Sequence, residues 1–250
     1  MIPYVRRKMI LAELENHDLL YIQDLLALLE GVSESTLRRD LRNLEEEGMI
    51  EQLQGGAAKI NRNSSYDMPI ESKQLLHIQE KENIARTAAS FVKDGEVVYI
   101  DSGTNPLLTV KYLKHRKIQL ITSNTYVLRE LENASFTCHI LGGEIAPNLG
   151  SVFGPVTDNQ LRTMHFDRAF LGATGFSFRS GITTPDFNEA NKKRIVMENS
   201  DAVYVLADHS KAGKEALCKV CSLDDCIIIT DQMCDVLTGL DNYILANSSA

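Results

Sequence analysis

Val32-Ser33-Glu34-Ser35-Thr36-Leu37-Arg38-Arg39-Asp40-Leu41-Arg42-Asn43-Leu44-Glu45-Glu46-Glu47-Gly48 reads as one amphipathic helix carrying its own start and stop signals. Ser33 suits the N-cap, Leu37, Leu41 and Leu44 recur at helical spacing, and Gly48 supplies the stop. At about 100° per residue, Ser35, Arg39 and Arg42 fall opposite the leucine stripe. Arg38 sits on the flank of the stripe, with Thr36 and Asn43 on the other side. That outer face offers planar guanidinium forks and small hydroxyls, which suit phosphate oxygens and major-groove base edges. The same residues could also make an ordinary solvated helix face, and the flanking segments decide between the two.

Before this stretch, Ile10, Leu11 and Leu14 fit a first helix over Arg6 to Leu14, and Tyr21 to Leu29 reads as a second. Gly31 and Val32 make a tight connection into the third, which is the helix-turn-helix layout. After Gly48, the segment from Met49 to Ile60 alternates imperfectly around Gly55-Gly56, as a β-hairpin wing would. Three helices and a hairpin make a winged helix. Ser33, Ser35, Thr36, Arg38, Arg39 and Arg42 are its candidate contacts to double-stranded DNA.

The whole chain has 250 residues, 44% of them hydrophobic, and a net charge of -8. That excludes wholesale disorder and argues against coating nucleic acid or membranes non-specifically. Residues 1–60 are acidic as well, with seven Lys and Arg against eleven Asp and Glu. Any grip on DNA must therefore come from a local basic cluster, with Glu45 to Glu47 held at the far end of the reading helix. No apolar run approaches the ~20 residues of a membrane span, and Arg6-Arg7-Lys8 is not followed by a signal-peptide core and cleavage site. The expectation is a cytoplasmic protein whose five cysteines are reduced thiols. Cys218-Lys219-Val220-Cys221, with Cys226 and Cys234, is a weak metal signal because no second pair or matching histidine accompanies it. No metal and no cofactor is expected.

Residues 61–74 are polar, include Ser64, Ser65 and Pro69, and read as a linker between a 1–60 domain and a 75–250 domain. Helical spacing resumes from Leu75 to Val92, with Ile78, Ile84, Ala85, Ala88, Ala89, Phe91 and Val92 as the buried set. Beyond it, Val97 to Ile100, Gln119 to Thr122, Thr137 to Leu141, Ala169 to Leu171, Ala202 to Ala207 and Cys226 to Thr230 read as buried strands. Helices are expected at Leu107 to Lys114, Thr125 to Asn133, Asp158 to Met164 and Glu189 to Asn199. The alternation predicts a mostly parallel α/β sheet with helices on both faces, and a frayed tail after Asn242.

Ligands of such sheets sit at the carboxyl ends of the strands, where small and polar residues gather in this half. Asp101-Ser102-Gly103-Thr104-Asn105-Pro106 closes the first strand, with Asn105 as a cap and Pro106 as the first helical residue, a phosphate-binding geometry. Ser123-Asn124, Gly142-Gly143-Glu144, Gly172-Ala173-Thr174-Gly175 and Asp208-His209-Ser210-Lys211 follow later strands. Lys193 and Lys211 could neutralise an anion, while Asp101, Glu144 and Glu189 could hold sugar hydroxyls. The candidate ligand residues are Asp101, Ser102, Gly103, Thr104, Asn105, Asn124, Gly143, Glu144, Glu189, Lys193 and Lys211.

Taken together, the chain resembles the DeoR family of transcription regulators along nearly its whole length. The amino-terminal match is Val32-Ser33, Thr36-Leu37-Arg38-Arg39-Asp40-Leu41, Leu44-Glu45 and Gly48, followed by Gly55-Gly56-Ala57. The carboxyl-terminal match includes Asp101-Ser102-Gly103-Thr104, Thr122-Ser123-Asn124, Leu141-Gly142-Gly143, Gly181-x-Thr183-Thr184, Glu189-Ala190-x-x-Lys193-Arg194 and Ala207-Asp208-His209-Ser210-Lys211. The resemblance implies a sensor domain related to ribose-5-phosphate isomerase-like folds. It also implies a repressor, less often an activator, of carbohydrate genes, whose DNA affinity is set by a phosphorylated sugar and which acts as a homodimer or tetramer on a palindromic operator. Three features depart from the family pattern. The wing carries Gln52-Leu53-Gln54 where Arg-x-His is usual, Glu30 replaces an apolar residue and leaves Leu28 and Leu29 more exposed, and Asn105-Pro106 replace hydroxyl residues. The rival readings are a sugar-phosphate isomerase or deaminase using Glu144 or Glu189 as base with Lys193 or Lys211, and a winged helix that binds protein.

Overall fold

Leu37, Leu41 and Leu44 are all withdrawn from solvent, so the leucine stripe does face a core. The computed structural model describes residues 2–17, 19–29, 31–61, 70–74 and 76–246. It divides into two units, Met1–Leu76 and His77–Ala250. In the first, α1 (Pro3–Asn16) starts earlier than the apolar spacing predicts, because Pro3 is pre-shaped for a first turn. Strand β1 (Leu20–Tyr21) precedes α2 (Ile22–Leu28), so the expected second helix loses its first residue to a sheet. Leu20 and Tyr21 pair with Ala58 and Ala57, and the Asp24 carboxylate accepts the Tyr21 N–H at 3.1 Å.

Helix α3 (Glu34–Glu46) is capped by Ser33, whose hydroxyl accepts the Thr36 N–H at 3.3 Å. It stops at Gly48, which takes the left-handed φ of 70° while Met49 N–H closes back on the Leu44 carbonyl at 2.8 Å. Strands β2 (Ile50–Leu53) and β3 (Ala57–Ile60) form the wing hairpin, and β1 makes it three-stranded in the order β1-β3-β2. Ile10, Leu14, Leu25, Leu29, Leu41 and Ile50 are among the core residues. Leu29 is therefore buried, contrary to expectation, while Leu28 is 45% exposed; the reading of Glu30 falls outside the described residues. Of the expected linker, residues 62–69 also fall outside them. Asn61 is tied to Gly48 and Met49, and Ile70–Lys73 form the short α4 with Ile70 buried.

The second unit opens with α5 (Ile78–Ser90), preceded by His77 at a φ of 49°. Ile78 is 41% exposed rather than part of the buried set, and Phe91 is half-buried. There follow β4 (Val97–Ile100), α6 (Thr104–Leu113), β5 (Gln119–Thr122), β6 (Thr137–Ile140), β7 (Glu144–Ala146), β8 (Ser151–Phe153), α7 (Pro155–Leu161) and β9 (Phe166–Gly172). The chain continues through β10 (Gly175–Ser177), β11 (Gly181–Thr184), α8 (Phe187–Glu198), β12 (Ser200–Leu206), β13 (Cys218–Cys221), β14 (Ile227–Thr230) and β15 (Tyr243–Leu245). Seven strands form one parallel sheet in the order β15-β14-β12-β9-β4-β5-β6.

Alternate strand residues feed two cores. Val98, Ile100, Phe170 and Leu206 pack with α5 and α6. Tyr99, Ala169, Leu171 and Val205 pack with α7, α8 and the antiparallel trio β10-β11-β13. Sequence reading missed that trio and the β7-β8 hairpin, whose strands are mostly three or four residues long. Thr125–Glu130 is a 3-10 helix instead of the expected α-helix. The tail is ordered through β15, which pairs with β14 from Tyr243 to Leu245 and so does not fray at Asn242. Among the described residues no helix is long and apolar enough to cross a membrane.

Candidate functional site

The outer face of α3 carries Ser33, Ser35, Arg38, Arg39 and Arg42 exposed, with Thr36 half-buried. The Ser33 hydroxyl sits 2.8 Å from that of Thr36 and 3.1 Å from that of Ser35, so three hydroxyls cluster at the helix start. Most bases of this unit are already engaged. Arg6 is buried in an ion pair with Asp40, with a second bond of 3.0 Å from Nη2 to Oδ1, and so fastens α1 to α3. Arg7 pairs with Glu47, Lys59 with Glu51 and Arg38 with Glu34. Arg39 and Arg42 have no ion-pair partner among the described residues, and both lie on the exposed face of α3.

Sequence reading missed the role of Asp40, which lies on the buried leucine face of the helix between Leu37 and Leu44. The acidic run at the far end of α3 is structural too. Glu45 accepts the Gln52 backbone N–H at 2.8 Å and its side-chain amide at 2.7 Å, clamping the wing to the helix. Gln52 thus serves as an internal tie.

At the carboxyl end of β4, Asp101 is fully buried, pairs with Lys193 and accepts the Gly172 N–H at 3.1 Å. Ser102 donates to Glu189 at 2.8 Å. The N-cap of α6 is Gly103, at a φ of 133°, so Thr104 and Asn105 lie inside the first turn and Asn105 is not the cap. The Asn105 amide instead reaches the Leu206 carbonyl at 3.3 Å, and its Oδ1 is buried with no hydrogen-bond partner among the described residues. Asn124 braces the loop from beneath by donating to the carbonyls of Asp101 and Gly103 at 3.4 and 3.3 Å.

Asp186 caps α8, and the helix brings Glu189, Lys192 and Lys193 onto one face at i, i+3 and i+4. Lys192, which sequence reading passed over, is fully buried. Its ammonium meets Glu189 at 2.7 Å, the Ser151 hydroxyl at 2.6 Å, the Val152 carbonyl at 3.1 Å and the Ser102 hydroxyl at 3.3 Å. Burial alone would raise the Glu189 pKa, but Lys192 and Lys193 outweigh it and hold the carboxyl below its ordinary value. The helical spacing was the signal that could have found Lys192.

A second charged group forms around Asp208 after β12. Burial opposes its ionisation, yet Lys211, Lys81, the Ser210 hydroxyl and His77 lower its pKa to about 2. Its Oδ2 has no hydrogen-bond partner among the described residues. His209 is held by Asp231 through its backbone N–H at 2.7 Å and its ring at 2.6 Å. Lys81 is buried on α5 in register with Ile84, Ala85 and Ala88, the single charge in an apolar stripe and a signal that sequence reading did not use.

Two candidates stand apart. Glu144 is exposed on β7, and among the described residues no hydrogen bond ties it to the Asp101 group. Gly143 is explained by packing, since a Cβ there would lie 2.1 Å from the Thr157 hydroxyl and 2.5 Å from the Phe153 carbonyl. Cys218, Cys221 and Cys226 are buried, and no group of three or more His, Cys, Asp or Glu that could hold a metal occurs among the described residues.

Residues 6–63 match the DeoR-like helix-turn-helix domain, and residues 76–232 match the DeoR C terminal sensor domain. The uncharacterized HTH-type transcriptional regulator FruR of Bacillus subtilis is 34% identical over 245 residues, covering 97% of this chain and 96% of that protein. The lactose phosphotransferase system repressor of Streptococcus mutans is 32% identical over 85% of this chain and 86% of its own. The glycerol-3-phosphate regulon repressor of Escherichia coli is 32% identical over 77% of each chain. Among solved structures, ribose 5-phosphate isomerase A from Methanocaldococcus jannaschii aligns over 54% of each chain at 19% identity, with a TM-score of 0.39. The curated relatives are regulators, so the isomerase or deaminase reading is not favoured. With both of its units matched in order, the chain belongs to the DeoR family of transcriptional regulators.

Proposed function

We propose that the protein is a repressor of carbohydrate-metabolism genes, docking α3 in the major groove and releasing or gripping its operator according to a phosphorylated sugar held by the second unit. The observation that carries the DNA half is the exposure of Arg39 and Arg42 without ion-pair partners among the described residues, while Arg6, Arg7, Arg38 and Lys59 are paired. On this reading Arg39 and Arg42 meet phosphates and base edges, with Ser33, Ser35 and Thr36 beside them. A homodimer or tetramer would present two such helices to a palindromic operator.

For the effector, Ser102, Gly103 and Thr104 at the start of α6 offer backbone N–H groups and hydroxyls to a phosphate. Asp101, Glu189 and Lys193 border the same loop, and Lys211 with Asp208 forms the neighbouring charged group. The names of the relatives, which concern lactose phosphotransfer and glycerol 3-phosphate, favour a phosphorylated ligand. Glu189 suits binding better than catalysis. A general base works best with a pKa near the working pH, and this carboxyl is driven the other way.

A thermal-shift screen of pentose and hexose phosphates, glycerol 3-phosphate and inorganic phosphate tests the effector assignment. The cognate ligand at 100 times its Kd should stabilise the native state by about 2.7 kcal/mol. No shift from any phosphorylated sugar would count against it.

A further inference from the structure

We propose that Glu34 determines specificity in the DNA-reading helix. By holding the Arg38 guanidinium it keeps that cation from gripping phosphates, and the pair together reads a C·G base pair. The inference rests on α3 being the helix that enters the groove.

Arg38 donates from Nε to Glu34 Oε1 at 2.8 Å, and its Nη2 lies 2.7 Å from the same oxygen. Both side chains are 55% exposed, so the pair lies on the solvent side of α3. Two forces keep the carboxylate there. An acid placed four residues before a base is the favoured order of a helical pair, and an acid in the first turn also complements the positive end of the helix. Arg39 and Arg42 have no such restraint among the described residues. The face therefore contains two kinds of arginine, two open and one leashed.

A leashed arginine meets the two possible DNA targets differently. Glu34 Oε2 has no partner among the described residues, so the pair presents an open acceptor next to the remaining guanidinium donors. A phosphate has only acceptor oxygens and negative charge, and is repelled by that carboxylate. A C·G pair in the major groove has both complements, an amino donor on cytosine N4 and acceptors on guanine O6 and N7. Glu34 thus penalises backbone contact, which carries no sequence information, while leaving this base-pair edge matched.

The test is a double-mutant cycle on a fluorescent random-sequence duplex, titrated across a range of salt concentrations. Glu34→Gln should bind more tightly and steepen the plot of log K against log salt by about 0.9, the signature of one more neutralised phosphate. In an Arg38→Ala background the same substitution should give only the smaller gain that comes from removing the carboxylate's own repulsion of phosphate, and should leave the salt slope unchanged. Duplexes selected from a random library by Glu34→Gln should lose one C·G preference per half-site. Glu34→Ala, equally compatible with an exposed helical position, repeats the measurement should the glutamine variant fold poorly. An unchanged slope, or an equal gain of affinity with and without Arg38, would overturn the proposal. Arg39→Ala is the control: if it leaves random-duplex affinity untouched, the docking of α3 itself is wrong and this inference falls with it.

Discussion

The two regions that carry positive charge treat it in opposite ways. On α3, Arg39 and Arg42 stand in solvent without ion-pair partners among the described residues, whereas at the rim of the parallel sheet Lys192 and Lys193 are buried against Glu189 and Asp101. Exposed cations cost the fold little, and their attraction to a polyanion is weakened by salt. Buried pairs have surrendered their hydration and depend on each other. On the proposed reading, the first surface meets a large anionic partner, and the second, with its charges already paired, takes a small ligand.

The sharpest way to break this contrast is to remove a rim lysine. Lys192→Ala strands the Glu189 carboxylate in the interior, and losing one partner of a buried pair costs about 3 to 5 kcal/mol. Urea unfolding monitored by circular dichroism should register it, and Lys192→Met combined with Glu189→Gln should recover much of the loss.

Asp208 sharpens the comparison through pH. Its pKa falls from 3.8 in the unfolded chain to about 2 in the fold, so its stabilisation is fully present above about pH 4 and disappears as pH drops through 2. Asp208→Asn should therefore cost about 2 kcal/mol at pH 7, with the gap from the wild type closing toward pH 2. Unfolding titrations at several pH values check the sign.

On α3 the expected order reverses, with a functional loss and little change in stability. Arg39→Ala should weaken DNA binding roughly tenfold and reduce the salt slope by about one, while its melting temperature stays near that of the wild type. Ser33→Ala is the smallest change. Loss of the cap should cost about 1 kcal/mol of stability and leave the arginines in place, read by thermal melting.

The same contrast explains what could be read from the sequence. The leucine stripe, the Ser33 cap and the Gly48 stop depend on local spacing and local backbone chemistry, and α3 followed from them. The main strands of the parallel sheet were legible because burial on both faces leaves continuous apolar runs such as Val97 to Ile100 and Ile227 to Thr230. What escaped depends on partners distant in sequence. Arg6 and Asp40 are 34 residues apart, and nothing local marks them as a buried pair. Lys192 meets Ser151 and Ser102 across 41 and 90 residues. Asn105 before Pro106 has the local pattern of a cap, but the positive φ at Gly103 starts the helix two residues earlier, at Thr104.

On the proposed reading, a small ligand in the second unit alters the DNA affinity of the first. The direct measurement is a fluorescence-anisotropy titration of a duplex selected from a random library by the wild-type protein, with and without the sugar phosphate that gives the largest thermal shift. Coupling of about 1 to 3 kcal/mol predicts a 5- to 150-fold change in Kd. Identical affinities with the sensor unit saturated would contradict the account.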